Sequence, residues 1–257
     1  MEESIIKEDN PIIDVEQLKS ILGSGIVNCI CKIITKIKTG TGFFVNIPEK
    51  NIKVLITNNH IIDEEFLEKE NKIIYFISEN QNEINLEINR YILTDKELDF
   101  TIIEILEEDN INNYLEINKD IYNKNDKIYT FQYPDGEELK YSHGIILEIK
   151  DNNIIYDIGT LGGSSGCPII LMNNSKLIGL HIGYLNKRKI KTNIGISINY
   201  IINKILFIKC TYEINDINNY IQIINNKDEY NINEEIESKI RILNKGKKEK
   251  IIFKKNI

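Results

Sequence analysis

Alanine and tryptophan are absent from this chain, and prolines (four), histidines (three), cysteines (four) and methionines (two) are scarce among its 257 residues. No stretch approaches the ~20 uninterrupted apolar residues that a membrane-spanning helix requires, so no membrane span is expected. Basic residues are outnumbered: the net charge is −7, the wrong sign for the basic face that a nucleic-acid partner needs. The one basic cluster, Lys245-Gly246-Lys247-Lys248-Glu249-Lys250, reads as a solvated hairpin end. Cysteine shows no C-x-x-C or Cys/His metal spacing, and no metal or organic cofactor is implied by any motif. Cys29 and Cys31, two apart on a strand, would share a face and could not easily pair with each other. The start, Met1-Glu2-Glu3-Ser4, lacks the basic and apolar parts of a secretory signal, which predicts reduced thiols and a cytoplasmic location.

What fills the space is isoleucine, asparagine and lysine, a bias that reads as AT-rich codon usage. The Asn-rich stretches therefore carry little functional information. Residues 14–22 suggest a short helix, with Asp14 as N-cap and Gly23 as stop. From there to about residue 198, short apolar runs rich in Ile, Val, Tyr and Phe alternate with turn residues, the pattern of an all-β protein. Expected strands are 27–35, 41–47, 53–58, 72–78, 83–89 and 99–105, then 127–133, 140–149, 153–158, 167–172, 176–184 and 190–198. Six precede a polar segment at about 107–120 and six follow it, which predicts two six-stranded antiparallel β-barrels. The domain plan is thus an N-terminal helical segment (1–23), a two-barrel domain (24–208, barrels about 24–106 and 120–208) and a small β-rich extension (209–257). Residues 199–208 are apolar enough for a packed helix at the end of the second barrel.

Three features carry chemistry. Thr160-Leu161-Gly162-Gly163-Ser164-Ser165-Gly166-Cys167-Pro168 is a glycine-rich turn that would expose the Ser165 hydroxyl and aim the amides of Gly163 and Ser165 at a developing oxyanion. Val54-Leu55-Ile56-Thr57-Asn58-Asn59-His60 is an apolar strand ending in one of the rare histidines. Leu98-Asp99-Phe100-Thr101-Ile102-Ile103 is a carboxylate heading another strand, placed to accept the Nδ1 hydrogen of a histidine. Each alone has a bland reading as a loop or strand-end residue. Their order along the chain, His60, Asp99, Ser165, puts the first two in one barrel and the third in the other.

These residues carry a resemblance to the chymotrypsin-like (trypsin-like) serine proteases. Thr57-Asn58-Asn59-His60 is similar to the family's histidine motif, Asp99-Phe100-Thr101-Ile102 to its aspartate strand and Gly163-Ser164-Ser165-Gly166-Cys167-Pro168 to its nucleophile turn; Gly40-Thr41-Gly42-Phe43-Phe44 resembles the segment before the histidine strand. The likeness spans about 24–208. It implies a serine endopeptidase acting on polypeptide, with catalytic His60, Asp99 and Ser165, an oxyanion hole of Gly163 and Ser165 amides, and a strand edge at Ile182, Gly183 and Tyr184 for extended substrate. Within the family, Gly179-Leu180-His181-Ile182-Gly183 is most similar to bacterial glutamyl endopeptidases. That resemblance implies a specificity pocket lined by Thr160 and His181, taking Glu, Asp or Gln before the scissile bond.

Two departures stand out. Ser164 occupies the place where digestive relatives carry the aspartate that pairs with a freed N-terminus, so activity without that switch is expected. Cys167 replaces the usual small residue and reads as a core thiol; Ser165→Ala should abolish activity and Cys167→Ser should not. His143 has no motif around it. Two other readings remain: a catalytically idle member of the fold serving as an interaction module, and a regulatory protease delivered to one partner by residues 209–257. Oligomeric state is not legible.

Overall fold

The structure is a computed structural model that describes residues 12–14, 24–187, 190–212, 238–245 and 248–255. Sixteen strands lie among these residues: β1 Ile12–Asp14, β2 Ile30–Ile34, β3 Thr39–Ile47, β4 Ile52–Thr57, β5 Lys72–Ile77, β6 Asn80–Asn85, β7 Ile92–Asp95, β8 Phe100–Glu104, β9 Lys127–Gln132, β10 Lys140–Lys150, β11 Asn153–Tyr156, β12 Pro168–Leu171, β13 Leu177–Lys187, β14 Ile190–Ser197, β15 Ser238–Lys245 and β16 Lys248–Lys255. The α-helices among the described residues are α1 Ser24–Val27, α2 Glu64–Lys69 and the longer α3 Ile198–Tyr212.

The second half forms a closed barrel in the order β10-β11-β14-β13-β12-β9, with β9 pairing back to β10 and β1 added beside β10. The first half is a curled sheet, β7-β8-β4-β3-β2-β5-β6, extended at β7 by the β15–β16 hairpin. Together they form the expected chymotrypsin-like double barrel. The first sheet differs in two ways: it has a strand, β7, that the pattern did not announce, and among the described residues no backbone pairing closes it. All four residues of β7 are buried, so the in–out alternation that reveals a half-exposed strand is missing. Asp14 also departs from expectation. It pairs with Lys140 in a strand rather than capping a helix, while the rest of the expected helix, 15–23, lies outside the described residues.

Period-two alternation explains why so many strands are buried on both faces. Phe43, Val45, Val54, Ile56 and Ile102 face a core shared between the two halves, while their neighbours Phe44, Leu55 and Ile103 fill the interior of the first barrel. In the second half Tyr129, Phe131, Tyr141 and Ile170 face the same shared core, whereas Ile128, Ile169 and Leu171 fill the barrel interior. Each such side chain stabilises the fold by roughly 1.5–3 kcal/mol relative to exposure. Helix α3 seats Ile198, Ile201 and Ile205 on that seam, a three- and four-residue spacing that lines one helical face.

The stretch between the halves is strapped to both. Leu115 N–H donates to Phe44 O at 2.8 Å and Asn118 N–H to Leu177 O at 2.9 Å. Cys29 and Cys31 do not share a face: the strand begins at Ile30, so Cys29 sits in the turn before it, its thiol on Gly25 O at 3.3 Å. It packs in the seam while Cys31 points into the first barrel. No described helix is long and apolar enough to cross a membrane.

Candidate functional site

His60 follows β4, and Asp99 lies in the turn between β7 and β8. The His60 backbone N–H donates to Asp99 Oδ1 at 2.9 Å, and His60 Nδ1 lies 2.7 Å from Asp99 Oδ2. Both carboxylate oxygens are thus committed to one histidine. Asp99 adopts φ +53°, a left-handed conformation that Asp tolerates better than most residues. The Asn58 side chain holds it there by donating from Nδ2 to Asp99 O at 2.8 Å. The next asparagine anchors the same turn to the sheet: Asn59 Nδ2 donates to Thr94 Oγ1 at 2.6 Å, which is 2.8 Å from Thr101 Oγ1, which donates to Ile62 O at 2.7 Å. The histidine and aspartate side chains remain 44% and 22% exposed. Solvent screening leaves such a pair little influence on stability, and orientation of the imidazole is what it supplies.

Ser165 sits in the turn that enters β12 in the other barrel. Gly163 and Gly166 flank it with φ +79° and +86°, conformations that favour glycine. Space demands glycine as well: a Cβ on Gly163 would lie 2.4 Å from Tyr133 O, and one on Gly166 would lie 2.1 Å from Thr41 O and 2.7 Å from Thr57 Oγ1. The residue after Ser165 therefore packs directly against Thr57, three residues before His60. Thr41 N–H donates to Ser165 O at 2.8 Å and Thr57 Oγ1 to Thr41 O at 2.8 Å, joining the serine turn to the histidine strand across the seam.

The peptide between Gly162 and Gly163 is held on its carbonyl side, where Gly162 O accepts the Asp135 N–H. The carbonyl and N–H of a trans peptide point in opposite directions, so the Gly163 N–H is turned away from the Asp135 turn. Among the described residues, neither the Gly163 nor the Ser165 N–H donates to another protein group. Ser164 is fully buried, and its Oγ accepts the Leu161 N–H at 3.1 Å; its hydroxyl serves the turn itself. Cys167 is buried, and burial pushes its thiol up to about 12, so it is a neutral core group near neutral pH.

Thr160 and His181 are carried by neighbouring parts of the second barrel. Thr160 Oγ1 donates to Asn193 Oδ1 at 2.9 Å, and Asn193 Nδ2 donates to Ile158 O. Asn193 lies opposite Tyr156 across the β11–β14 ladder, and Tyr156 Oη is 2.5 Å from His181 Nδ1. Burial holds the Tyr156 phenol well above its ordinary range, so it meets His181 as a neutral hydroxyl. His181 is itself buried, and its carbonyl accepts the Gly166 N–H at 3.2 Å, which links this polar set to the serine turn. One residue on, β13 bulges: His181 opposes Gly195 and Gly183 opposes Ile194, leaving Ile182 as the extra residue. A Cβ on Gly183 would meet nothing within 4 Å, so that face of the strand is open.

Sequence reasoning missed Asn58, Thr41, Asp135, Tyr156 and Asn193. Asn58 and Thr41 stood inside motifs already singled out, but their partners are 41 and 122 residues away. His143 stacks beside Tyr141, ring centroids 5.9 Å apart, with no tie to this site.

Residues 40–180 match the family described as "Trypsin-like peptidase domain". No curated protein matches the chain. Among solved structures, it is similar to Rv3671c of M. tuberculosis in its inactive form (15% identity, TM-score 0.59, covering 80% of this chain and 99% of that one). It is also similar to the serine endoprotease from Yersinia pestis (14%, 0.57, 76% and 66%) and to the HtrA-type protease AlgW with tripeptide (18%, 0.56, 72% and 62%). At such identities the likeness is one of fold.

Proposed function

Because this chain belongs to the trypsin-like peptidase family, with polypeptide as its class of substrate, we propose that it is a serine endopeptidase working through an acyl-enzyme on Ser165. The observation that carries the reading is the doubly bonded His60–Asp99 pair, tied through Thr57 and Thr41 to a serine turn whose two amides are uncommitted. Asp99 takes the Nδ1 hydrogen, which leaves Nε2 of His60 as the base. His60 removes the Ser165 proton as Oγ attacks the carbonyl and gives it to the amine as the C–N bond breaks. It then takes a proton from water, which attacks the ester and releases the acid, and returns that proton to Ser165 Oγ. The Gly163 and Ser165 amides receive the oxyanion, a stabilisation absent from the ground state and therefore expressed in kcat. Substrate lies extended along Ile182 and Gly183, where the bulge and the open face of Gly183 leave room for a backbone.

The finer reading, a pocket for Glu, Asp or Gln in the manner of glutamyl endopeptidases, is supported by the polar set Thr160, Asn193, Tyr156 and His181 beside the serine turn. These hydroxyl, amide and imidazole groups can hydrogen-bond an acidic or amide side chain. A peptide library in which Arg, Lys or large apolar residues are preferred before the scissile bond would overturn it. The idle-module reading is less supported, since the His60–Asp99 pair is doubly bonded and the amides of the serine turn are uncommitted.

The reaction itself is tested by a fluorophosphonate probe. Covalent labelling of the full chain that is lost in Ser165→Ala and kept in Cys167→Ser is expected. An unlabelled wild type would overturn the proposal.

A further inference from the structure

The Gly40-Thr41-Gly42 segment raises a question the reaction leaves open: why a hydroxyl stands between two glycines at a position with no solvent access. Thr41 is fully buried in β3, and all its polar atoms are used. Its N–H donates to Ser165 O at 2.8 Å and its carbonyl accepts Thr57 Oγ1 at 2.8 Å. Its Oγ1 donates to Gly163 O at 2.9 Å and accepts the Tyr133 N–H at 3.1 Å. The side chain thus joins a strand of the first barrel to two separate turns of the second. A hydroxyl is the small group that donates once while accepting from another direction, and branching at Cβ restricts the rotamer that aims it.

Gly163 is consequently clamped from both sides. The carbonyl before it is held by the Asp135 N–H, and its own carbonyl is held by the Thr41 hydroxyl. Fixing both peptide planes of a glycine removes the freedom that its φ of +79° would otherwise leave. The Asp135 turn is braced in its turn from the first barrel: Lys32 Nζ donates to Gly136 O at 3.1 Å, and the cation lies 5.8 Å from the Tyr133 ring centroid.

We infer that the Thr41 hydroxyl is a positioning residue for the oxyanion turn, setting the direction of the Gly163 N–H from across the barrel seam. This rests on the serine-peptidase reading above. It touches neither substrate nor His60, so within the reaction its loss should be felt where the tetrahedral oxygen forms, beside the stability cost of the polar groups left unpaired. Thr41→Val keeps the shape and both backbone bonds, and leaves Gly163 O and the Tyr133 N–H without their partner. Misplacing a donor by a fraction of an ångström to an ångström lowers kcat by up to roughly 10²-fold, with KM little changed.

The test compares wild type, Thr41→Val and Thr41→Ser for kcat, KM and the pH profile. It adds affinity for a peptide boronic acid, whose tetrahedral adduct places an oxygen in the hole, and for the same peptide as a free carboxylate product. The expected result is a selective loss of kcat and boronate affinity in Thr41→Val. KM, product affinity and the acidic limb of the profile should be unchanged, and Thr41→Ser should restore the wild-type values. Equal kcat and boronate affinity in wild type and Thr41→Val would overturn the inference. So would parallel losses in every parameter that track a loss of folded protein. Should Thr41→Val fail to fold, Thr41→Cys, a weak donor of similar size, is compared with Thr41→Ser under the same criteria. A wild type that neither labels nor turns over would instead remove the underlying reading, and the inference with it.

Discussion

Gly163→Ala should damage folding and catalysis by separate amounts, each set by a distance. The new methyl would lie 2.4 Å from Tyr133 O, 2.8 Å from Gly136 N and 3.1 Å from Asp135 N. All three are backbone atoms that cannot rotate aside. Holding alanine in the left-handed region costs about 1–2 kcal/mol, and forcing the 133–136 turn outward adds about 1–3 kcal/mol of overpacking. A destabilisation of about 2–5 kcal/mol is therefore expected, read from urea or thermal unfolding. Any shift of that turn also moves the Asp135 N–H that anchors Gly162 O, so the Gly163 N–H loses its aim. Removal of one oxyanion donor lowers kcat by about 10²–10³-fold. Gly25→Ala is the control. Its Cβ would meet nothing within 4 Å in α1, and it should be neutral or stabilising by up to about 1 kcal/mol. A folded Gly163→Ala enzyme with wild-type kcat would refute the assignment of the oxyanion turn.

Asp99→Asn, which keeps the shape but donates where a carboxylate accepts, should reduce kcat by about 10⁴-fold while leaving the unfolding midpoint close to wild type, because the pair is partly exposed. Asp109→Ala should destabilise by about 3–5 kcal/mol, since it strands the buried Arg90 guanidinium that Asp109 grips at 2.7 and 3.2 Å; a neutral result in urea unfolding would refute that. Alkaline pH should weaken the fold through Cys167. The unfolded thiol loses its proton above pH ~8.5, whereas the native one holds it to about 12. The unfolded state then binds fewer protons, and stability falls as pH rises through that window, by up to about 1.4 kcal/mol per pH unit for this one group. The buried Cys29 and Cys31 act in the same direction, so Cys167→Ala should make the decline between pH 9 and 11 shallower by this one group's share; an unchanged slope would show that this thiol does not contribute.

The second barrel was readable almost strand by strand, because its apolar runs are punctuated by turn residues such as Asp151-Asn152 and Asn173-Asn174. The first was less so. β7 is buried throughout, and β6 starts at Asn80, in a polar run that carries no apolar signal. Of the proposed site, His60, Asp99, Ser165 and the two glycines of the serine turn could be named from the sequence because chemistry restricts their identity and order. The groups that hold them were not. Asn58 acts on Asp99 and Thr41 on Gly163 from 41 and 122 residues away, and no local spacing encodes such a partner. Tyr156 and Asn193 looked like ordinary strand residues until the β11–β14 ladder set them opposite each other.

The apolar seam has a consequence for how this molecule could be taken apart. One continuous cluster draws Phe43, Val45 and Phe100 from the first half and Tyr129, Phe131 and Leu180 from the second, so each half alone would expose a broad greasy surface. The chain around Lys119–Asn125, by contrast, is largely exposed loop. Severed there, the two pieces would carry His60 and Ser165 separately, and on the serine-peptidase reading proposed above, cleavage of a peptide would require their reunion.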